Sequence, residues 1–283
     1  MKFGIFGINN GLLADPEISV RAAVQAEAGG FESAWTGEHI VLPDPQVAPS
    51  PAPPQTAMLD PSVSLAFLAG HTERLKLGTG IIILPQRNPV ELAKELASLD
   101  VLSKGRLLFG LGAGYLQPEF DALNAPFADR GARTDEYIDV IRAMWTMESP
   151  AFEGETFQFA GIDAQPRPVQ RPHPPIHVGG HSRPAFRRAI RRGNGWYGFF
   201  VDLAHCESHL KQLAEIQASE GRPEDLGALE ISITPLPGVG LDDARAYQDL
   251  GVDRLTLIPN TKSEDHLRRW IDETAENMLR KLT

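Results

Sequence analysis

Short apolar runs alternate with amphipathic helical patterns from one end of the chain to the other, the rhythm of consecutive parallel βα units. Residues 2–8 read as a first strand. Asp15-Pro16-Glu17 then opens a helix with a capping carboxylate, proline at the first helical position and an acid in the first turn; Gly29-Gly30 end it. Ile18, Ala22 and Ala26 share its buried face. Residues 33–37 read as a second strand, followed from Asp60-Pro61 by a helix that turns Leu65 and Leu68 inward. Residues 75–84 read as one unbroken third strand. Asn88, Pro89 and Glu91 start the next helix, and Leu92, Leu96 and Leu99 form its apolar stripe. A fourth strand covers 106–111, with its helix at 134–145. The remaining strands fall at 175–178, 196–200, 229–234 and 254–258, and the remaining helices at 184–192, 204–220, 242–250 and 264–282.

Eight such units predict an α/β fold, a single (β/α)8 TIM barrel spanning 1–283 without a second domain; an open doubly wound sheet is the alternative use of the same units. Two interruptions stand out. Residues 43–54, after the second strand, are proline-rich. Within 149–174, before the fifth strand, Phe152 to Phe159 alternate and turn like a small hairpin. Loops that follow strands line the active-site face of a barrel. The proline loop is therefore either a lid or pocket wall whose restricted φ values lower the entropy cost of ordering it, or an inert surface excursion.

Three places offer chemistry. Thr36-Gly37-Glu38-His39 stands at the carboxyl end of the second strand, where His39 can act as acid, base or hydrogen-bond donor and Glu38 can raise its pKa or orient its ring. Gly110-Leu111-Gly112-Ala113-Gly114 lacks the third glycine of a dinucleotide fingerprint, and Tyr115-Leu116-Gln117-Pro118 starts no prompt helix. It reads instead as a strand end where a flat ring can approach the backbone. Gly179-Gly180-His181-Ser182 leads into a helix capped by Ser182. Exposed backbone N–H groups and the helix start there favour an anion, with Arg183, Arg187 and Arg188 adding positive charge.

Metal binding finds no support. His173, His177 and His181 are spaced by four, but the intervening prolines and glycines forbid a shared helical face. His205 and His209 fit one helix without the Glu of H-E-x-x-H, and read as a solvated face. No G-x-S-x-G elbow is present, and Cys206 is the only cysteine, so an intrachain disulfide and a cysteine-based metal site are excluded; this fits a reducing cytoplasm. Lys+Arg 27 against Asp+Glu 37 gives a net charge of −10. That argues against nucleic acid or a membrane surface as the main partner, while leaving room for one local basic pocket. The apolar runs are too short for a signal peptide or a membrane span.

In order along the chain, Leu77-Gly78-Thr79-Gly80-Ile81, Pro85-Gln86-Arg87-Asn88-Pro89, Leu99 to Arg106, Gly110 to Tyr115, Arg130 to Glu136, and Pro175 to Ser182 resemble the signatures of luciferase-like proteins. The set is most similar to the branch that uses coenzyme F420. The resemblance implies a barrel binding F420, or alternatively FMN, at the carboxyl ends of its strands. It places a cis peptide at Gly80-Ile81 against the cofactor ring. It brings Ala113 and Gly114 near the ring or its side chain, and sets Gly179, Gly180, His181 and Ser182 on the phosphate. His39 falls near the reacting carbon, with Glu38 where some relatives carry Asp. The expected activity is hydride transfer between F420 and a small-molecule substrate. The alternatives are an FMN-dependent monooxygenase fed by a separate reductase, and a non-catalytic flavin-binding barrel. Arg130, Arg133 and Glu136 are expected to form a structural ion-pair network, and Asn194 is given no role. The loops at 41–59 and 116–129 are expected to shape the substrate pocket. Family members are often homodimers, although no apolar stripe here stands out as an interface.

Overall fold

The computed structural model describes residues 1–282. Its strands are β1 (Lys2–Phe6), β2 (Ser33–Thr36), β3 (Lys76–Thr79), β4 (Ile82–Ile83), β5 (Leu107–Gly112), β6 (Phe152–Glu153), β7 (Gln158–Phe159), β8 (Ile176–Gly179), β9 (Gly195–Phe199), β10 (Glu230–Thr234) and β11 (Arg254–Leu257). Its helices are α1 (Pro16–Gly29), α2 (Pro61–Ala69), α3 (Pro89–Leu102), α4 (Gln117–Ala122), α5 (Arg130–Thr146), α6 (Arg183–Arg192), α7 (Leu203–Glu220), α8 (Leu241–Asp249), α9 (Glu264–Thr274) and α10 (Arg280–Leu282). The main sheet runs β3-β2-β1-β11-β10-β9-β8-β5-β4, and β3 also pairs with β5, so it closes on itself. With β3 and β4 counted as one interrupted strand, this is the expected eight-stranded parallel barrel. β6 and β7 form the expected antiparallel hairpin before the fifth barrel strand.

The local chemistry explains the elements. Asp15, Asp60 and Asn88 accept hydrogen bonds from the first-turn amides of α1, α2 and α3, each with proline at the start. Alternation along the strands sends Ile5 and Leu77 outward to the helices, in the larger apolar layer. The barrel interior is filled by Trp35, Leu108 and Tyr197. Trp35 stacks on Tyr197 with centroids 5.3 Å apart. A Cβ at Gly78 would lie 2.4 Å from the Trp35 ring, so only glycine fits beside it.

Three elements depart from the sequence pattern. The third strand is broken: Gly78 pairs with Leu108 and Ile82 with Leu111, so four residue steps on one strand oppose three on the other. The extra residue is a bulge, and the Gly80-Ile81 peptide within it is cis. Thr79 Oγ1 replaces the lost ladder contacts, donating to Gly110 O at 2.6 Å and accepting from Gly110 N at 2.8 Å. The second departure is α4, where the sequence reading placed a loop. The third is the C-terminal helix, in which a π-helical turn at Ala275–Leu279 separates α9 from α10.

The floor of the barrel is an ionic plug. Arg254, fully buried, donates to Glu32 (3.0 Å) and to Ser232 Oγ (2.9 Å), and also pairs with Glu230. Lys76 and Lys2 reach the same two carboxylates from outside. His177 sits beside this cluster with Nε2 3.6 Å from Glu230, and burial, aided by Arg254, pushes its pKa down to about 4. In the unfolded chain an ordinary imidazole binds its proton below about 6.5. The unfolded state therefore holds more protons between the two values, and stability is expected to fall as pH drops from about 6.5 towards 4. Melting temperature measured from pH 7 to 4.5 tests this: His177→Gln should flatten the slope, and an unchanged slope assigns the acid sensitivity to other groups.

Candidate active site

The second strand delivers two acid–base side chains to the barrel mouth and sends them in different directions. Glu38, with its side chain 1% exposed, accepts from Ile83 N at 2.5 Å and from Arg87 Nε at 3.1 Å. Arg87 continues to Asp60 at 2.7 Å. Burial pushes the Glu38 carboxyl up, while Arg87 and the Ile83 N–H pull it back. Glu38 thus pins the end of β2 to β4 and to the start of α2. It does not orient His39, which corrects the role expected of it.

That partner is Glu119 on α4. Its fully buried carboxylate lies 3.2 Å from His39 Nδ1 and accepts from Ile40 N at 2.6 Å. On the other edge of the imidazole, Tyr115 Oη stands 3.5 Å from Nε2, with the two rings edge to face. A carboxylate facing Nδ1 favours the imidazole tautomer with its proton on Nδ1, which turns the Nε2 lone pair to the mouth. Burial, then Glu119, raises the Tyr115 pKa, so the phenol keeps its proton. Glu119 was missed because its helix is so short, although the signal existed. Pro118-Glu119 repeats the proline-then-acid start that marked α1 at Pro16-Glu17.

Behind this pair, Asn9 ties the loop that carries His39. Its side chain bonds both the N–H and the C=O of Gly37, at 3.0 and 2.9 Å, and accepts no solvent exposure; the same amide donates to Leu59 O at 2.6 Å. His39 N meets Met58 Sδ at 3.0 Å. The two ends of the proline-rich loop are therefore fastened together beside the histidine.

The glycine run begins inside β5, with Gly110 and Gly112 in the strand and Gly114 just beyond it, and it serves the packing around the bulge. Cβ atoms at Gly110 and Gly112 would lie 1.9 Å from Thr79 O and 2.7 Å from Ile81 Cδ1, so both glycines make room for the bulge. Gly114, at φ +76°, faces Ile83 and Phe120, and its carbonyl accepts from Arg130 Nε at 3.1 Å. It folds the chain onto α4. Ala113 is half-buried beside it. Ile81 itself is half-buried and packs with Phe6 and Phe199 over Trp35, Leu108 and Tyr197, an apolar platform at the mouth.

The β8–α6 turn lies on the same face. Gly180 (φ +120°), His181, Ser182 and Arg183 are exposed, and Ser182 caps α6 by accepting from Ala185 N. The turn is anchored by Trp196 Nε1 to Gly180 O at 2.9 Å and by Phe199 N to His181 Nε2 at 3.2 Å. Burial lowers the His181 pKa, as do His209 and His205, which keeps the ring a neutral acceptor for Phe199. The expected arginine cluster is mostly spent elsewhere: Arg187 pairs with Glu220 at 2.6 Å, and buried Arg188 pairs with Asp135 at 2.7 Å. Only Arg183 of the three has no ion pair among the described residues.

Other expectations are sorted by the geometry. His205 is exposed and bonded to Asp202, but half-buried His209 stacks on His181 at 5.1 Å and is not a solvated residue. His173 packs near Trp145, His177 lies on the barrel floor and His181 at the mouth. No group of three or more His, Cys, Asp or Glu side chains among the described residues is placed to hold a metal. Arg130, Arg133 and Glu136 form no common network. Arg130 binds carbonyls and lies over Phe127, Arg133 pairs with Asp129, and Glu136 accepts from the hairpin amides of Thr156 and Phe157. Asn194 Oδ1 accepts from Ile176 N. Among the described residues no helix is long and apolar enough to cross a membrane.

A closed α/β barrel that gathers a polarised histidine, an apolar platform and a helix start at one mouth has the layout of a cofactor-using barrel oxidoreductase. The chain belongs to the luciferase-like monooxygenase family, whose model matches residues 1–282. An uncharacterized protein of Mycobacterium tuberculosis is 29% identical over 266 residues, covering 91% of this chain and 92% of its own. An FMNH2-dependent dimethylsulfone monooxygenase of Pseudomonas putida is 35% identical over 160 residues, 56% of this chain and 43% of its own. The solved structure of an F420-dependent secondary alcohol dehydrogenase, in complex with an F420–acetone adduct, has a TM-score of 0.80 at 14% identity, over 98% of both chains. At that identity the likeness is one of fold.

Proposed function

We propose that the protein transfers a hydride between coenzyme F420 and a small organic substrate at the barrel mouth. The observation that carries this reading is the setting of His39, with Nδ1 held by buried Glu119 and Nε2 turned towards Tyr115. The residues present suit the cofactor. Gly179, Gly180, His181 and Ser182 at the start of α6 offer a site for its phosphate. Gly80 and the Phe6–Ile81–Phe199 platform suit a flat ring, with Ala113 at the edge. Coenzyme F420, when bound, supplies or accepts the hydride. The protein's share is position and the companion proton. His39 Nε2 takes that proton from a substrate hydroxyl in the oxidative direction. Protonated and stabilised by Glu119, it returns the proton in the reductive one.

Glu119→Gln is expected to lower kcat about 10²-fold with little change in KM, because an amide facing Nδ1 favours the wrong imidazole tautomer. Nitrogen NMR shifts of the His39 ring should report the tautomer change. Wild-type kcat in this variant would remove Glu119 from the reaction.

A second reading is favoured by the similarity to an FMNH2-dependent monooxygenase. The same platform and turn would take FMN, with reduced flavin delivered by a separate reductase and oxygen as co-substrate. Titration of the purified chain with oxidised and reduced F420 and FMN, followed by fluorescence and absorbance, separates the two. Selective F420 binding is the expected result. Selective binding of reduced FMN, with oxygen uptake tied to substrate loss, would replace the hydride reading.

A further inference from the structure

Around His39 the mouth is apolar in two tiers. The deeper tier is Phe6, Ile81 and Phe199, half-buried. The outer tier is carried on three different strand ends. Ile40, Tyr115 and Phe200 are 40%, 49% and 50% exposed. Phe200 is the sharpest case. It has φ +54°, a conformation disfavoured for a bulky side chain, and its ring lies 4.3 Å from that of Phe199, which in turn lies 4.9 Å from Phe6. Large apolar side chains that converge at a site and stay open to water mark a surface that is covered in use.

The ionisable groups nearest His39 are already committed. Glu119 faces His39 itself, and Glu38 and Asp60 share Arg87. A charged substrate group brought among these residues would lose its water without gaining a counter-charge. The exposed cations of this face, Arg183 and Lys262, stand on the loops after β8 and β11. We propose that the substrate is a neutral, largely apolar molecule, aromatic or alicyclic, with one alcohol or carbonyl oxygen that meets His39 Nε2. This rests on the reading of His39 as the proton-transfer group, and the outer tier, with Phe200 foremost, is the specificity surface.

Acetophenone and 4-acetylbenzoate are matched probes that differ by a carboxylate. Binding of each to the full chain, alone and with F420 or FMN, can be followed by saturation-transfer NMR. Acetophenone is expected to bind at least about tenfold more tightly, the penalty of stranding an unpaired charge. Phe200→Ala and, separately, Ile40→Ala should each weaken it severalfold while the circular dichroism spectrum is unchanged. Equal or tighter binding of 4-acetylbenzoate overturns the proposal, as does acetophenone binding indifferent to both substitutions. F420 binding without acetophenone binding overturns the substrate class and leaves the hydride reading standing. Acetophenone held through Phe200 by a chain that binds neither cofactor supports the substrate class and overturns the cofactor reading.

Discussion

Arg254→Ala is expected to cost about 3–5 kcal/mol of folding stability, the loss typical of removing one partner from a buried ion cluster. The side chain is fully enclosed at the barrel floor and is the shared counter-charge of Glu32 and Glu230. Its guanidinium also lies 5.5 Å from the Trp35 ring centroid, so truncation opens space under the residue that fills the barrel interior. Lys76 and Lys2 remain on the two carboxylates, which places the effect in the lower half of that range. Urea denaturation measures it directly. A loss below about 1 kcal/mol would mean that the lysines alone neutralise the floor.

His39→Ala is expected to lower turnover by about 10²–10⁴-fold while changing cofactor affinity little. The imidazole stands between Glu119 and the mouth, whereas the turn proposed to hold the cofactor phosphate lies across the barrel after β8. Single-turnover kinetics beside a fluorescence titration separate the two quantities. Equal loss of both would make His39 a binding residue. The substitution also leaves the Glu119 carboxylate buried with, among the described residues, only the Ile40 and Val41 amides as donors, so a modest fall in melting temperature should accompany it.

The barrel was legible because it repeats. Each βα unit carries its own start signals, and Asp15-Pro16, Asp60-Pro61 and Asn88-Pro89 cap as their chemistry predicts. The site was legible only in part, because its decisive contacts join distant segments. His39 could be placed at a strand end, but that Glu119 reaches it across eighty positions of sequence, and that adjacent Glu38 turns away to Arg87, depends on how β2 and β5 close together. The bulge was hidden for a similar reason. Its apolar run continues through Ile81, Ile82 and Ile83, and the room it needs is supplied by glycines on another strand. Resemblance pointed to Gly80-Ile81, whereas periodicity alone drew an unbroken strand.

Asn9 gives the proline-rich loop a further property. Because one buried amide holds both Gly37 and Leu59, the stretch between Ile40 and Met58 is mechanically a cassette with fixed terminals. Its interior can be exchanged or lengthened without moving the terminals, and the closure entropy of a longer insert rises only slowly with length. On the proposed function, in which this stretch walls the substrate pocket, diversification of the wall is thereby uncoupled from the placement of the histidine, and new substrates can be explored with the His39–Glu119 geometry inherited unchanged.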